Sequence, residues 1–480
     1  MIQTLQPRTD EQLTIVRDPL RILLVLLTIL TISRIHQHYP VLMKFRPVLL
    51  LVIAAICYAY LNPSRLTRGN VLSQWPMRLV AALGILTCFS AAFGISLGRT
   101  ASFFLEWYVK TLAYAFLLAL SIRHVRDLLT FVWAYVLSCG ILAFFSLFVF
   151  GITSSGSRSD FARLSNLYTY DSNDLGVVLM VGLPLTLLVL VATRGVGRWI
   201  AAAVLLGIAA TISRSGSRGA FLGFVAVAAA ALFLVNSVSA GRRLSIMIVA
   251  AFALVLGAPV GYWKQMSTVV DPKSDYNYSA IDGRKAVAER GIWYMSRYPF
   301  FGLGMNNFPR AECTISPKLK TLNRTGPIRC TAPHNSYIQA GAELGVSGLL
   351  VWTSLLFGMI VAPLRLRRRL PKSWQRGTDS ERFIYAVTTF FPLAAIGFAV
   401  TSFFVSFAWS DPLYVLAGLT TGLYVAVRRM VQEKSGLESS VPALRPAYFP
   451  ALPGWRVARS AARQRAASAF YASHNAARNA

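Results

Sequence analysis

The chain has 480 residues, of which 55% are apolar and only 14% charged, and its mean hydropathy is +0.53. That composition excludes a soluble globule, because too little polar side chain is present to cover one. The formal net charge of +29 does not suggest nucleic acid either, since the basic residues are scattered through segments that flank apolar runs rather than gathered on one face.

Residues 1–18 are polar and read as a cytoplasmic N-terminus. The first apolar run is followed by His36-Gln37-His38-Tyr39-Pro40, with no small-residue cleavage site, so it is expected to remain as the first anchor. Twelve apolar runs occur in all, at about 19–35, 46–61, 75–95, 103–122, 128–150, 174–193, 199–213, 219–237, 244–262, 336–362, 383–408 and 412–427. Each predicts a helix crossing a hydrocarbon core of ~30 Å, because a helix satisfies its own backbone hydrogen bonds in lipid. The seventh run is short for a span, and charge decides in its favour. With the N-terminus inside, the cytoplasmic segments hold 28 of the 48 Lys and Arg, the bias expected of that face. Merging spans seven and eight would turn Arg365-Leu366-Arg367-Arg368-Arg369 outward.

The expected organisation is therefore all-α and polytopic, with both ends cytoplasmic. Spans one to nine fill 19–262, a large outer loop fills 263–333, and spans ten to twelve fill 334–427. A basic tail, 428–480, is rich in Ala, Arg, Ser and Pro and reads as disordered or lying on the membrane. Attraction to anionic lipids accounts for most of the net charge.

Within the spans, Glu106 and Lys110 stand four residues apart and are expected to neutralise each other inside the bundle. Cys57, Cys88 and Cys139 read as small packing residues. A loop at 151–173 offers Ser157, Arg158, Arg163 and the turn Tyr170-Asp171-Ser172-Asn173-Asp174. Ser213-Arg214-Ser215-Gly216-Ser217-Arg218-Gly219-Ala220 then opens span eight. Unpaired amides at a helix N-terminus favour an anion, and the guanidinium fork fits phosphate oxygens. Snorkelling anchors are the other reading of those arginines.

In the large loop, Gly283 to Met295 predicts a short amphipathic helix with Ala288, Ile292 and Met295 on one side and Arg284 a turn ahead. Pro299 ends it, and Phe300-Phe301-Gly302-Leu303-Gly304-Met305-Asn306-Asn307-Phe308 suits a tight turn on the membrane surface. Cys313 and Cys330, 17 apart in the outer loop, suit a disulfide if that loop faces an oxidising compartment, as in a bacterial envelope protein, with two unpaired thiols as the alternative. His334 follows, in Pro333-His334-Asn335-Ser336-Tyr337, where the loop meets span ten. An imidazole there, facing arginines able to hold phosphate, suggests group transfer on a lipid-linked substrate; an interfacial hydrogen-bonding role is the alternative. No metal-ligand spacing surrounds it, and no phosphate-binding Gly-Lys-Ser/Thr loop appears.

Three motifs occur in order: Ser217-Arg218-Gly219-Ala220; Gly283-Arg284 before Tyr298-Pro299-Phe300-Phe301-Gly302-Leu303-Gly304; and Pro333-His334-Asn335-Ser336-Tyr337 before Ala342-Glu343-Leu344-Gly345. Over about 150–360 the chain resembles the O-antigen ligase and polymerase superfamily of bacterial envelope glycosyltransferases. Relatives often carry tryptophan four residues after the loop arginine, where this chain has Ala288 and a later Trp293; Arg290 thus competes with Arg284. The resemblance implies a metal-independent, cofactor-free, inverting transferase whose donor is a glycan on undecaprenyl diphosphate. It implies His334 as general base toward the acceptor hydroxyl, with Arg218 and Arg284, and Arg214 or Arg290 as further candidates, holding the diphosphate. The partners implied are that lipid-linked oligosaccharide, an acceptor glycan or lipid A core, and a chain-length regulator. A polymerase is favoured over a ligase by the long outer loop and extended tail. A flippase would be expected to show matched halves, and no internal repeat is seen.

Overall fold

The computed structural model describes residues 18–67, 69–154, 162–164, 170–236, 239, 241–245, 262–267, 269, 282–320 and 329–435. It is almost wholly helical. The described strands are β1 (Ile152–Ser154) and β2 (Ala162–Leu164), an antiparallel pair with Thr153 opposite Arg163.

Chain order gives α1 (Pro19–Ser33), the short α2 (Pro40–Lys44), α3 (Pro47–Leu61), α4 (Trp75–Phe93), α5 (Leu97–Phe103), α6 (Val109–Ser121), α7 (Val125–Phe148), α8 (Ser172–Ala192), α9 (Val196–Ser215) and α10 (Arg218–Leu234). After α11 (Tyr262–Ser267), α12 (Arg284–Arg297) and α13 (Phe308–Thr314) come α14 (Ser336–Arg369), α15 (Asp379–Thr401) and α16 (Asp411–Ser435). Seven helical stretches among the described residues are long and apolar enough to cross a membrane: α4, α5 running on into α6, α7, α8, α9, α14 and α15 with its last turn. The chain is thus a multi-pass membrane protein. Helices α1, α3 and α10 are apolar but shorter, and α16 is long but begins at Asp411 and carries Arg428-Arg429 before it ends at Ser435. The seventh run, short by sequence, is a helix of 20 residues.

Local chemistry fixes the helix starts. Asp18 caps α1 by accepting from the Leu20 N–H, with Pro19 at the first position. Reciprocal caps join Asp171 with Asp174 at α8 and Thr378 with Glu381 at α15.

Helix directions alternate. At one end of the bundle Arg21 meets Asp18 and Asp127, and Arg367 donates to Leu234 O across from α10. At the opposite end Arg214 donates to Leu147 O, and Ile95 N–H donates to Leu303 O. Leu234 lies at the first end and Tyr262 at the second, where its ring meets Phe221 near the start of α10. The ninth expected span lies between them, largely outside the described residues, as do Ser157, Arg158 and the tail from 436.

Four expectations are corrected. Glu106 and Lys110 form no ion pair; Glu106 is exposed and Lys110 sits 5.3 Å from the Trp107 ring centre. A π-helical turn at Phe104–Tyr108 adds a residue to the winding and breaks the i, i+4 geometry. Of the three span cysteines only Cys139 is buried, and Cys57 and Cys88 are exposed on the bundle surface. On α12 the buried residues are Val287, Arg290, Gly291 and Tyr294, and Ile292 is 58% exposed. The buried face is therefore displaced by one position from the expected one, because Gly291 lets α12 approach Ile338, where a Cβ would come within 2.2 Å. Last, α15 stops at Thr401 and only a short turn, Ser402–Phe404, continues it, so the run expected to 408 ends early and a polar turn precedes α16.

Candidate functional site

The outer lobe, α12 and α13 with the turns around them, is fastened to the bundle by backbone. Helix α14 breaks at Gly345 (φ 75°, ψ −176°), a left-handed geometry that suits glycine. The carbonyls and amide around that break are taken by the lobe: Leu303 and Gly304 N–H donate to Ala342 O and Glu343 O at 2.9 and 3.0 Å, and Val346 N–H donates to Pro299 O at 2.8 Å. Gly302 lies so close that a Cβ would come within 2.4 Å of the Glu343 carbonyl carbon. Here Pro299 to Gly304 and Ala342 to Gly345 make a backbone-to-backbone clamp. Glu343 completes it from inside, accepting from Phe308 N–H at 3.3 Å and Trp409 Nε1 at 2.7 Å.

Within the lobe, Arg290 is fully engaged. It is 8% exposed and donates to both oxygens of Glu312, which is 0% exposed and also accepts from Tyr294 Oη at 2.9 Å. Lys318 joins Glu312 at 3.1 Å and Asp282 at 2.9 Å. A disulfide links Cys313 to Cys330, with Cα atoms 5.1 Å apart. The tie and the ion network hold the stretch that leads to His334.

Three helix N-termini converge where that stretch enters the bundle. Asn335 caps α14 by accepting from Tyr337 and Ile338 N–H. Ser217 caps α10 by accepting from Ala220 N–H, and its hydroxyl bonds Asn173 of α8 at 2.9 Å. Asp171 caps α8. Arg218 is the first residue of α10 and half-buried. The glycine after it lets α10 abut Phe404, since a Cβ at Gly219 would come within 2.9 Å of the Phe404 Cβ. Arg284 is the first residue of α12, also half-buried.

His334 stands at the join in a left-handed backbone conformation, φ 47°. Its N–H donates to Ser406 Oγ at 2.9 Å. The side chain is accessible to solvent yet ringed by protein. Its pKa lies below the ordinary imidazole value of 6.5. Desolvation by the surrounding protein is the largest cause, the Arg284 guanidinium adds to it, and Asp171 opposes both. The imidazole is thus neutral near pH 7, with Arg284 and Asp171 close enough to act on it.

Of the arginines read from sequence, Arg284 is thus brought to His334, and the end of α10 that carries Arg218 is joined to the same turn through Phe404. Arg290 is matched to Glu312, and Arg214 closes the C-terminal carbonyls of α7 through Leu147 O. Two elements were missed. Arg34, at the end of α1, lies 3.9 Å over the Tyr170 ring and lines a small depression with His38, Leu142, Phe145 and Phe150. The Val405–Trp409 turn was hidden inside an expected span, although two serines and Asp411 among its aromatics signal a polar break.

No curated protein matches the chain. Residues 181–353, from the middle of α8 to the middle of α14, match the family model described as O-antigen ligase. That stretch, which is similar to the O-antigen ligase family, carries Arg218, Arg284, the backbone clamp and His334.

Proposed function

We propose that the protein transfers a glycan from undecaprenyl diphosphate to an acceptor hydroxyl at the periplasmic face of the bacterial inner membrane, with twelve spans and both termini cytoplasmic. In this reading the acceptor oxygen attacks the anomeric carbon as its proton passes to His334. The bond from that carbon to the diphosphate oxygen breaks on the opposite face, which inverts the centre. Arg218 and Arg284, each at a helix N-terminus, hold the charge that develops on the leaving diphosphate. The observation that supports this most is His334 itself: an imidazole kept neutral by desolvation and by Arg284, inside the matched segment. A general base is most effective with a pKa near the working pH.

A polymerase, extending a surface glycan by repeat units, is our first reading, supported by the large outer lobe. The description of the matched family favours the second, a ligase acting on the lipid A core. Glycan display in a deletion strain carrying wild-type protein or His334→Ala separates them. Loss of long chains with single repeats still on lipid A means polymerase, and accumulated lipid-linked polymer means ligase. A His334→Ala protein that inserts normally and restores full display would refute the base assignment.

A further inference from the structure

Helix α14 grips the turn after α15 along its whole outer half. Ser336 Oγ donates to Val405 O at 2.8 Å and accepts from Phe407 N–H at 2.9 Å. Ala408 N–H donates to Gln339 Oε1 at 3.0 Å, and Trp352 Nε1 donates to Ala408 O at 3.0 Å. Trp409 Nε1 reaches Glu343, and the Tyr337 ring stacks on Phe403 with centres 4.2 Å apart. Such a dense set of side-chain bonds makes residues 403–409 a fixed rail beside α14.

The rail touches the site at two points. Phe404 packs against Gly219, next to Arg218. Ser406 accepts the backbone N–H of His334. A non-glycine residue at φ 47° is in a conformation that L side chains seldom adopt, and it persists only where neighbouring bonds hold it. Asn335 begins the α14 cap directly afterwards, so the position of the His334 Cα–Cβ bond depends on the single hydrogen bond to Ser406 on one side and the cap on the other.

We propose that Ser406 is a positioning residue for transfer: by holding the His334 amide it fixes where the imidazole points relative to the arginine at the start of α10. The inference rests on His334 acting as the base. It places part of the working site outside residues 181–353, in a turn that the family match does not reach.

The test uses the full-length protein purified in detergent, with lipid-linked glycan extracted from the deletion strain and release of undecaprenyl diphosphate as readout. Ser406→Ala should lower kcat about 10- to 100-fold, the effect of misplacing a reacting group by about an ångström, with KM little changed. Ser406→Thr, which keeps an acceptor hydroxyl, should recover most of it. Should the alanine variant fail to fold, Ser406→Cys, of similar shape with a weak acceptor, carries the same comparison. In a His334→Gly background, Ser406→Ala should have no further effect on the residual rate, because nothing remains to be positioned. Wild-type kcat in Ser406→Ala, or an undiminished loss in the His334→Gly background, overturns the proposal while the base assignment stands. A wild-type rate in His334→Gly alone removes the base assignment, and this proposal with it.

Discussion

The two ends of the bundle use arginine differently. At the end where α1 begins, several cations meet carboxylates: Arg21 lies buried between Asp18 and Asp127, Arg382 pairs with Asp379, Arg429 with Glu433 and Lys434 with Glu381, while Arg367 donates to Leu234 O. At the other end, Arg214 meets a carbonyl, Arg99 donates to Asn306 O, Arg34 lies over a ring and Arg284 acts on an imidazole. The outer lobe stands between these cases, with Arg290 and Lys318 gathered on Glu312 and Asp282. A guanidinium satisfied by carboxylate has its charge cancelled and serves architecture.

The largest expected effect falls on the architectural group. Glu312→Gln leaves buried Arg290 and Lys318 to share Asp282 without the fully buried carboxylate between them, which should cost about 3–5 kcal/mol, seen as a lowered thermal midpoint and faster proteolysis of the lobe. The opposite behaviour is expected of Arg284→Lys: unchanged melting, but transfer slowed about 10²- to 10³-fold, as when one donor to a developing anion is lost. A melting loss at Arg284 as large as that at Glu312 would erase the distinction between the two groups.

Reducing Cys313–Cys330 should fall below both, at about 2–4 kcal/mol of lobe stability, with activity lowered but retained; mass spectrometry without reductant reports the bond. The smallest effect is in pH. The acid limb of kcat/KM should lie below 6.5, since the His334 pKa is depressed. Removing the cation in Arg284→Gln should move the limb up, and Asp171→Asn should move it down, because Asp171 stabilises the protonated ring. A limb that stays in place in both variants would mean that His334 does not set it.

Sequence pattern was sufficient where one physical cause dominated. Apolar length located the helices, and Pro299 with the two glycines of Tyr298 to Gly304 announced a tight turn, although not that it would clamp the broken helix at Gly345. The identity of the partner could not be read for Arg290, because Glu312 lies 22 residues away across a turn and α12 shows its buried face only once Gly291 is seen against Ile338. Ser406 was invisible for a related reason. It lies 72 residues from His334, inside a run whose aromatics kept it apolar to the eye.

The break at Gly345 also bears on motion. A lid must be able to part from what it covers, and this lobe shares its main-chain hydrogen bonds with the helix beneath. Lifting it would break the hydrogen bonds made by the Leu303, Gly304 and Val346 amides, main-chain groups that would each need a new partner. The lobe is therefore a canopy built into the bundle, and under the proposed function a bulky lipid-linked glycan would come and go sideways beneath it rather than by way of a hinge.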